Sequence, residues 1–254
     1  MALQDPSPNL PQLNRPPGPP VEPHLAAHAV PWQHALTWFE DALRLFKRRP
    51  LVWVGLAVLT LATEFSLQLL PDPWPLLSNV VAPLVACGML FAAAAADRHA
   101  PPRMGYAFTA FRAPTGAVVA IIVASLVTFL AEAFAAWWIA DVNLFQAHAA
   151  TEDLTASARI GVYAIGVLAS LPIAFVPLHV LFEPVGLAEA FAASWNAFLL
   201  NTVPLLVYAG LSLVLLLFGL LTMGIGLALV MPLWAASSYT AWRDIFAIEE
   251  APVV

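Results

Sequence analysis

Between Leu51 and Trp242 the chain returns repeatedly to apolar runs of about twenty residues. An α-helix rises about 1.5 Å per residue and the hydrocarbon core of a bilayer is about 30 Å thick, so one such run makes one crossing. Lipid offers no hydrogen-bond partners, and the backbone of each run must therefore bond to itself, as a helix does. The runs predict an all-α membrane protein. Composition agrees: of 254 residues 61% are hydrophobic and 10% charged, where a soluble domain carries about 25% charge.

The ruler gives about six transmembrane helices. Four are expected at residues 51–70, 76–96, 115–140 and 160–182. The stretch 203–242 is too long for one crossing. It divides near 219–226, where Gly219, Thr222, Gly224 and Gly226 cluster, into a fifth and a sixth. Orientation follows from Lys and Arg. Arg44, Lys47, Arg48 and Arg49 precede the first span, Arg98, Arg103 and Arg112 lie between the second and third, and Arg243 follows the sixth. Arg159 alone falls on the other side, with Asp141, Glu152 and Asp153. The positively charged side is expected to be cytoplasmic, and an even number of spans puts both termini there. Tryptophans favour the headgroup level; Trp53 and Trp242 are expected at the inner edge, and Trp74, Trp137 and Trp138 at the outer.

Outside the membrane domain, 32–246, lie two tails. Residues 1–31 hold nine prolines and no apolar core segment, and read as a disordered tail rather than a signal peptide. Residues 247–254 form a short C-terminal tail. Two segments are too polar to span and read as amphipathic helices on the inner surface, 36–49 before Pro50 and 187–201 before Pro204. In the first, Trp38-Phe39, Ala42-Leu43 and Leu45-Phe46 recur at helical spacing among Glu40, Asp41, Arg44 and Lys47. Its basic cluster suits anionic phospholipid. The segments align around their prolines: Pro50-Leu51-Val52 matches Pro204-Leu205-Leu206. Further on, Ala82-Pro83-Leu84 leads to Asp97-Arg98 as Met231-Pro232-Leu233 leads to Arg243-Asp244. A repeat unit of one surface helix and two spans accounts for the pattern, and its copies would share one orientation.

The segment Ala42-Leu43-Arg44-Leu45-Phe46-Lys47-Arg48-Arg49-Pro50-Leu51-Val52-Trp53 resembles the opening of a family of small bacterial inner-membrane proteins of unknown function. The ending Ser237-Ser238-Tyr239-Thr240-Ala241-Trp242-Arg243-Asp244-Ile245-Phe246 is similar to that family's close, and residues 189–208, with Asn201 and Pro204, also fit. The resemblance covers 32–246. The family is distantly similar to the membrane domain of some bacterial glycerophosphodiester phosphodiesterases, whose soluble catalytic domain has no counterpart here. It implies a polytopic fold and an inner-membrane location, and transfers no activity.

Glu64 and Glu132 are the sharpest candidates for chemistry. Both lie within apolar spans, where an acidic group costs about 2.5–3.5 kcal/mol on insertion scales and so tends to face protein or water. They suit a proton- or cation-linked site; a protonated carboxyl, or one reaching to the nearby outer surface, is the alternative. His179 and Glu183 stand one helical turn apart, which suits a polar pair at a helix end better than a metal site lacking a third ligand. Arg44, Lys47, Arg48, Arg49, Asn196, Arg243 and Asp244 are candidates for headgroup or docking contacts at the inner face, and capping or ordinary solvation also accounts for Asn196, Arg243 and Asp244. Pro83, Pro172, Pro177, Pro204 and Pro232 read chiefly as packing features. No catalytic residues, metal ligands or cofactor motif emerge, the single cysteine is Cys87, and no basic, aromatic-laced patch suggests nucleic acid.

Three classes of function remain. A non-enzymatic protein that organises lipid or binds partners is favoured by the surface helices and the missing motifs. A small transporter or permease-like protein is favoured by Glu64, Glu132 and the repeat. A lipid-linked intramembrane enzyme needs a polar cluster that the sequence does not display. The second class expects both glutamates to line one cavity, and the first expects separate packing contacts.

Overall fold

In the computed structural model, which describes residues 26–71, 73–145 and 154–248, the chain is all-helical. The described residues form nine α-helices: α1 (His34–Phe46), α2 (Pro50–Gln68), α3 (Ser78–Asp97), α4 (Thr115–Ala140), α5 (Ala156–Ser170), α6 (Val176–Phe182), α7 (Leu187–Leu200), α8 (Thr202–Leu221) and α9 (Leu227–Ile245). Five segments are long and apolar enough to cross a membrane: α2, α3 with its 3-10 lead-in from Trp74, α4, α5 with its 3-10 extension to Ile173, and α8. The ninth helix is long enough, but its second half carries Ser237, Ser238, Tyr239, Thr240, Arg243 and Asp244.

The expected boundaries mostly hold, and their causes are visible. Pro50 sits in the first turn of α2, where it lacks only an amide that would have had no helical partner. The division of 203–242 falls between Leu221 and Leu227. There Thr222 Oγ1 donates to the Gly219 carbonyl at 2.7 Å and accepts from the Gly226 amide at 2.7 Å. Gly224 takes φ +85°, a left-handed conformation that suits glycine. The fourth expected span is corrected. It starts at Ala156, and 160–182 is not one helix: Pro172 and Pro177 divide it into α5, a 3-10 turn Leu171–Ile173, and the separate α6. Each proline removes an amide donor and crowds the preceding turn.

The two tryptophans expected at the inner edge lie in the first turn of α2 and the last turn of α9, and both point inward. Trp53 and Trp242 are each 0% exposed and belong to the core. Trp74, Trp137 and Trp138 are exposed, as aromatic anchors at a membrane surface would be.

Both short helices dock on the bundle. The first buries Ala35, Trp38, Ala42 and Leu45, one face at spacings of three and four, against α9, α3 and α8. Its Phe39 ring stacks on Tyr208 of α8, with centroids 5.2 Å apart. Leu36 and Leu43 stay exposed beside that face. The helix α7 buries Ala190, Ala193, Ser194 and Ala197, and exposes Trp195, Leu199 and Leu200. Its first turn is capped by Glu189, whose carboxylate accepts from the Gly186 amide at 2.8 Å.

Residues 26–31, at the end of the expected tail, make backbone contacts with the bundle. The His28 amide donates to the Ile245 carbonyl at 2.7 Å, and the Val30 amide to Asn201 Oδ1 at 2.8 Å. Asn201 Nδ2 donates back to the His28 carbonyl at 2.9 Å and to the Ala197 carbonyl at 3.2 Å. A buried amide side chain thus supplies the partners that an extended segment cannot make for itself. The rest of the expected tail, 1–25, lies outside the described residues. So do His148, Glu152 and Asp153 between α4 and α5. At the other end Ile248 is buried, and 249–254 lie outside the described residues.

Small residues set the packing of α3, which carries buried alanines throughout 92–96 and Gly88 facing the segment Met104–Phe108. A Cβ at Gly88 would meet the Ala107 backbone at 2.6 and 2.7 Å. Gly88→Ala is therefore expected to destabilise the protein by about 1–3 kcal/mol through overpacking. Asn201→Ala should cost a similar amount by orphaning buried backbone groups, and should make 26–31 sensitive to protease. Thermal unfolding in detergent with limited proteolysis checks both, and a Gly88→Ala protein as stable as wild type would refute the close contact.

Candidate functional site

The helices define two ends. At the basic end, where the residues preceding α2 meet the ends of α3 and α9, Arg48 donates to the Ala96 carbonyl and approaches His99 Nε2 at 3.4 Å. The opposite, distal end holds Glu64, Gln68 and the start of α3: Gln68 Nε2 donates to Glu64 Oε1 at 3.0 Å and reaches Ser78 Oγ at 3.4 Å.

Glu64 lies about 21 Å along α2 from the basic end, and Glu132 about 26 Å along α4, at 1.5 Å per residue. The distal depth read from the sequence is thus borne by the helices, and the bundle brings the two together. Both line one vestibule of about 200 Å³, with Gln68, Asn79, Arg159 and Tyr163 among its other walls. Among the described residues its lining includes two carboxyl groups and one guanidinium, and Arg159 donates to the Leu154 carbonyl at 3.4 Å. Glu132 lies tightly against α5, so that a Cβ at Gly166 would collide with its carboxyl group. Glycine at 166 is what lets the long acidic side chain lie between the two helices.

Adjoining the vestibule is a larger, partly open chamber of about 690 Å³, lined by α3, α4, α5, α8, α9 and the bend before α6. Asn79, Phe129, Glu132 and Tyr163 line both spaces and form the partition between them. The chamber is within the range of ordinary ligand pockets, roughly 300–1,000 Å³. Its walls are mainly apolar, and several of the polar side chains on them bond within the protein. Ser125 Oγ donates to the Asn79 carbonyl at 2.9 Å, Ser170 Oγ to the Val167 carbonyl at 2.8 Å, and the Tyr208 hydroxyl lies 3.2 Å from Ser237 Oγ. Cys87 also lines the chamber. The glutamates were legible in the sequence by their charge. The chamber was not, because its alanine, leucine and serine walls look like any packed span.

The remaining candidates separate. His179 is 0% exposed within a ring of aromatics: Trp242 Nε1 donates to its Nδ1 at 3.4 Å, and the Phe246 ring stands 4.4 Å away edge-on. The Glu183 amide donates to the His179 carbonyl at 2.8 Å, the backbone bond of residues one helical turn apart. Among the described residues no three histidines, cysteines or carboxylates converge on a metal position.

Arg243 and Asp244 make internal contacts. Arg243 pairs with Asp97 at the end of α3 and donates from Nε to the Ile248 carbonyl at 2.9 Å; the Tyr239 hydroxyl adds a 3.0 Å bond to the same carboxylate. Asp244 Oδ2 accepts from His34 Nδ1 at 2.7 Å and from Trp38 Nε1 at 2.8 Å, which locks α1 onto α9. Asp97, His34 and Tyr239 were not singled out from the sequence, since each becomes informative only through its partner. Arg44, which pairs with Asp41 at 2.7 Å, Lys47, Arg49 and Asn196 are exposed.

No protein-family model, curated protein or solved structure matches the chain.

The Asp97–Arg243 pair is less than a third exposed on both sides. Removing either partner leaves a half-buried charge, so Asp97→Ala and Arg243→Ala are each expected to destabilise by about 1–3 kcal/mol. Because the partners share one interaction, the double variant should lose less than the two single losses combined. A double-mutant cycle from detergent unfolding midpoints tests this, and strict additivity would show that the pair is uncoupled.

Proposed function

We propose that the protein is a small permease-like carrier of the bacterial inner membrane, in which Glu64 and Glu132 form the binding end of a solute pathway. The observation that carries this reading is their convergence on one vestibule adjoining a larger chamber. Carboxyl groups that far along spanning helices are costly to keep there, and a polar space shared between them offsets part of that cost. Of the three classes, the carrier is the one that expects such an arrangement. The scaffold reading draws its support from the apolar edges of α1 and α7, where Leu36, Leu43, Trp195 and Leu199 are exposed. These edges equally suit contact with the acyl region beside the headgroups.

The topology proposed with it has six crossings, α9 being the sixth, and both termini in the cytoplasm on the basic side, where exposed Arg44, Lys47 and Arg49 would meet anionic phospholipid. The order of α1–α2–α3 and α7–α8–α9, each a short helix followed by two long ones, supports a repeat of surface helix plus two spans. Kinship with the small inner-membrane family suggested by residues 42–53 and 237–246 belongs to the same proposal.

The test combines access with flux. In a Cys87→Ala background, cysteine at position 64 or 132 should react with a membrane-impermeant cationic thiosulfonate added from the outer face. Cysteine at position 57 of α2, whose alanine is fully buried, should not react. Proteoliposomes containing pyranine and given a panel of organic amines should show solute-driven proton movement above empty liposomes. Glu64→Gln and Glu132→Gln should each reduce it at least about tenfold, the size of a lost charge-assisted contact. Unreactive cysteines at both positions, with flux no greater than in empty liposomes for every amine, would return the protein to the scaffold class.

A further inference from the structure

Four of the helices that line the chamber, α3, α4, α5 and α8, belong to segments long and apolar enough to cross a membrane. Away from the chamber α4, α5 and α8 expose Leu130, Ile165, Val214 and Phe218, so the medium around this part of the bundle is acyl chain. Leu216 and Leu220 of α8 and Leu227 of α9 line the chamber on either side of the turn that joins the two helices. In that turn Leu221, Met223 and Ile225 are 85, 94 and 80% exposed, and no charged residue lies between Thr202 and Trp242. An exposed turn of this composition belongs in hydrocarbon, and the partly open chamber ends beside it.

The interior of the chamber suits the same medium. Thr128 Oγ1 donates to the Ala124 carbonyl at 3.3 Å, and Ser125 and Ser170 likewise donate to backbone carbonyls. Hydroxyls bonded in this way ask little of water, and a cavity with apolar walls stays dry. Left empty, its walls lose the dispersion contacts that a close-packed interior makes. The polar groups gather instead toward the vestibule: Asn79, Glu132 and Tyr163 at the boundary, and Glu64, Gln68 and Arg159 beyond it. An apolar space thus adjoins a small polar one whose lining carries both signs of charge.

We infer that the chamber takes up one acyl chain of a bilayer lipid whose zwitterionic, amine-bearing headgroup lies in the vestibule. The inference rests on the carrier reading of the same cavity and adds the class of ligand: the solute is a lipid of the surrounding membrane. The chain fills the apolar space, and the exposed apolar turn between α8 and α9 lets it exchange with the bilayer without crossing water. Selection falls to the vestibule, where the carboxyl groups suit the amine and the guanidinium suits the phosphate. A headgroup with a phosphate and no amine brings further negative charge to Glu64 and Glu132, and is disfavoured.

The test reconstitutes the full-length protein in vesicles of phosphatidylethanolamine and phosphatidylglycerol. A trace of phosphatidylethanolamine carries a diazirine at the end of one acyl chain, and labelled residues are mapped by peptide mass spectrometry after illumination. Label is expected on the chamber residues Leu90, Ile121, Val167 and Leu216, besides the outward-facing Leu130, Val214 and Phe218 that any chain can reach. Phosphatidylglycerol with the same chain should label the outward residues equally and the chamber at least about tenfold less. Glu132→Gln should bring the two lipids to equal labelling of the chamber. Leu216→Trp and, on another wall, Val167→Phe narrow the chamber; each should remove its label while the outward label and the unfolding midpoint hold.

Label confined to the outward residues in the wild-type protein would overturn the inference. So would equal labelling of the chamber by both lipids, or a preference that survives Glu132→Gln. Failure of the carrier reading looks different: the chamber is labelled as expected, yet proteoliposomes move neither fluorescent phosphatidylethanolamine between leaflets nor protons with any amine. Conversely, proton flux driven by small amines, with no label in the chamber, leaves a carrier whose ligand is not a lipid.

Discussion

The last two turns of α9 hold the basic end together. Arg243 and Asp244 are neighbours on a helix, so their side chains point about 100° apart. One reaches α3 through Asp97, and the other reaches α1 through His34 and Trp38. Thr240, one turn earlier, donates to the Trp38 carbonyl at 3.0 Å. Three elements far apart in the chain thus meet on one short stretch of helix. Charge opposite charge is worth more here than at an open surface, because the Asp97 and Arg243 side chains are both mostly covered. The same stretch carries Tyr239, Trp242 and Ile245 into the core, so the polar clasp and the apolar packing reinforce one register.

That arrangement explains why α9 is less apolar than its neighbours. Its second half is largely covered by protein, and a stretch so covered can carry serine, tyrosine, threonine and an ion pair if each finds a partner. The contacts of α9 with α1, α2, α3 and α8 cover it from several sides. The buried alanines of α3 permit this crowding, since small side chains let helices approach closely. By contrast α4 and α8 expose Val119, Leu130, Phe134, Val214 and Phe218, as lipid-facing helices do.

The legible part of the fold was the part set by distance along the chain. Helix starts at Pro50 and Thr115, the break between Leu221 and Leu227, and the distal depth of Glu64 and Glu132 follow from counting residues at a fixed rise. Direction around each helix axis was not legible. In nearly uniform apolar runs no periodic polar face marks which side meets protein, and so the inward direction of Trp53 and Trp242 could not be read from their positions along the chain. For the same reason the two glutamates could be given depths but not a shared cavity. The fourth span failed for a different reason: Pro172 and Pro177 each tolerate a continuous helix in membrane proteins, and only the packing around them decides that both break it.

The position of Glu132 ties the legible to the illegible. Alone on α4 it is a carboxyl group in an otherwise apolar span. It is accommodated because the facing residue of α5 is Gly166, the one side chain small enough to let the carboxyl lie between the helices. Neither residue is informative without the other, and they are thirty-four positions apart. A packing role alone would be served as well by leucine and alanine, which bury apolar area without desolvating an acid. The pairing places an ionisable group at the partition between the vestibule and the larger, mainly apolar cavity. Burial is met either by a positive partner or by protonation of the carboxyl group, and the gap left by Gly166 accommodates the side chain in both states.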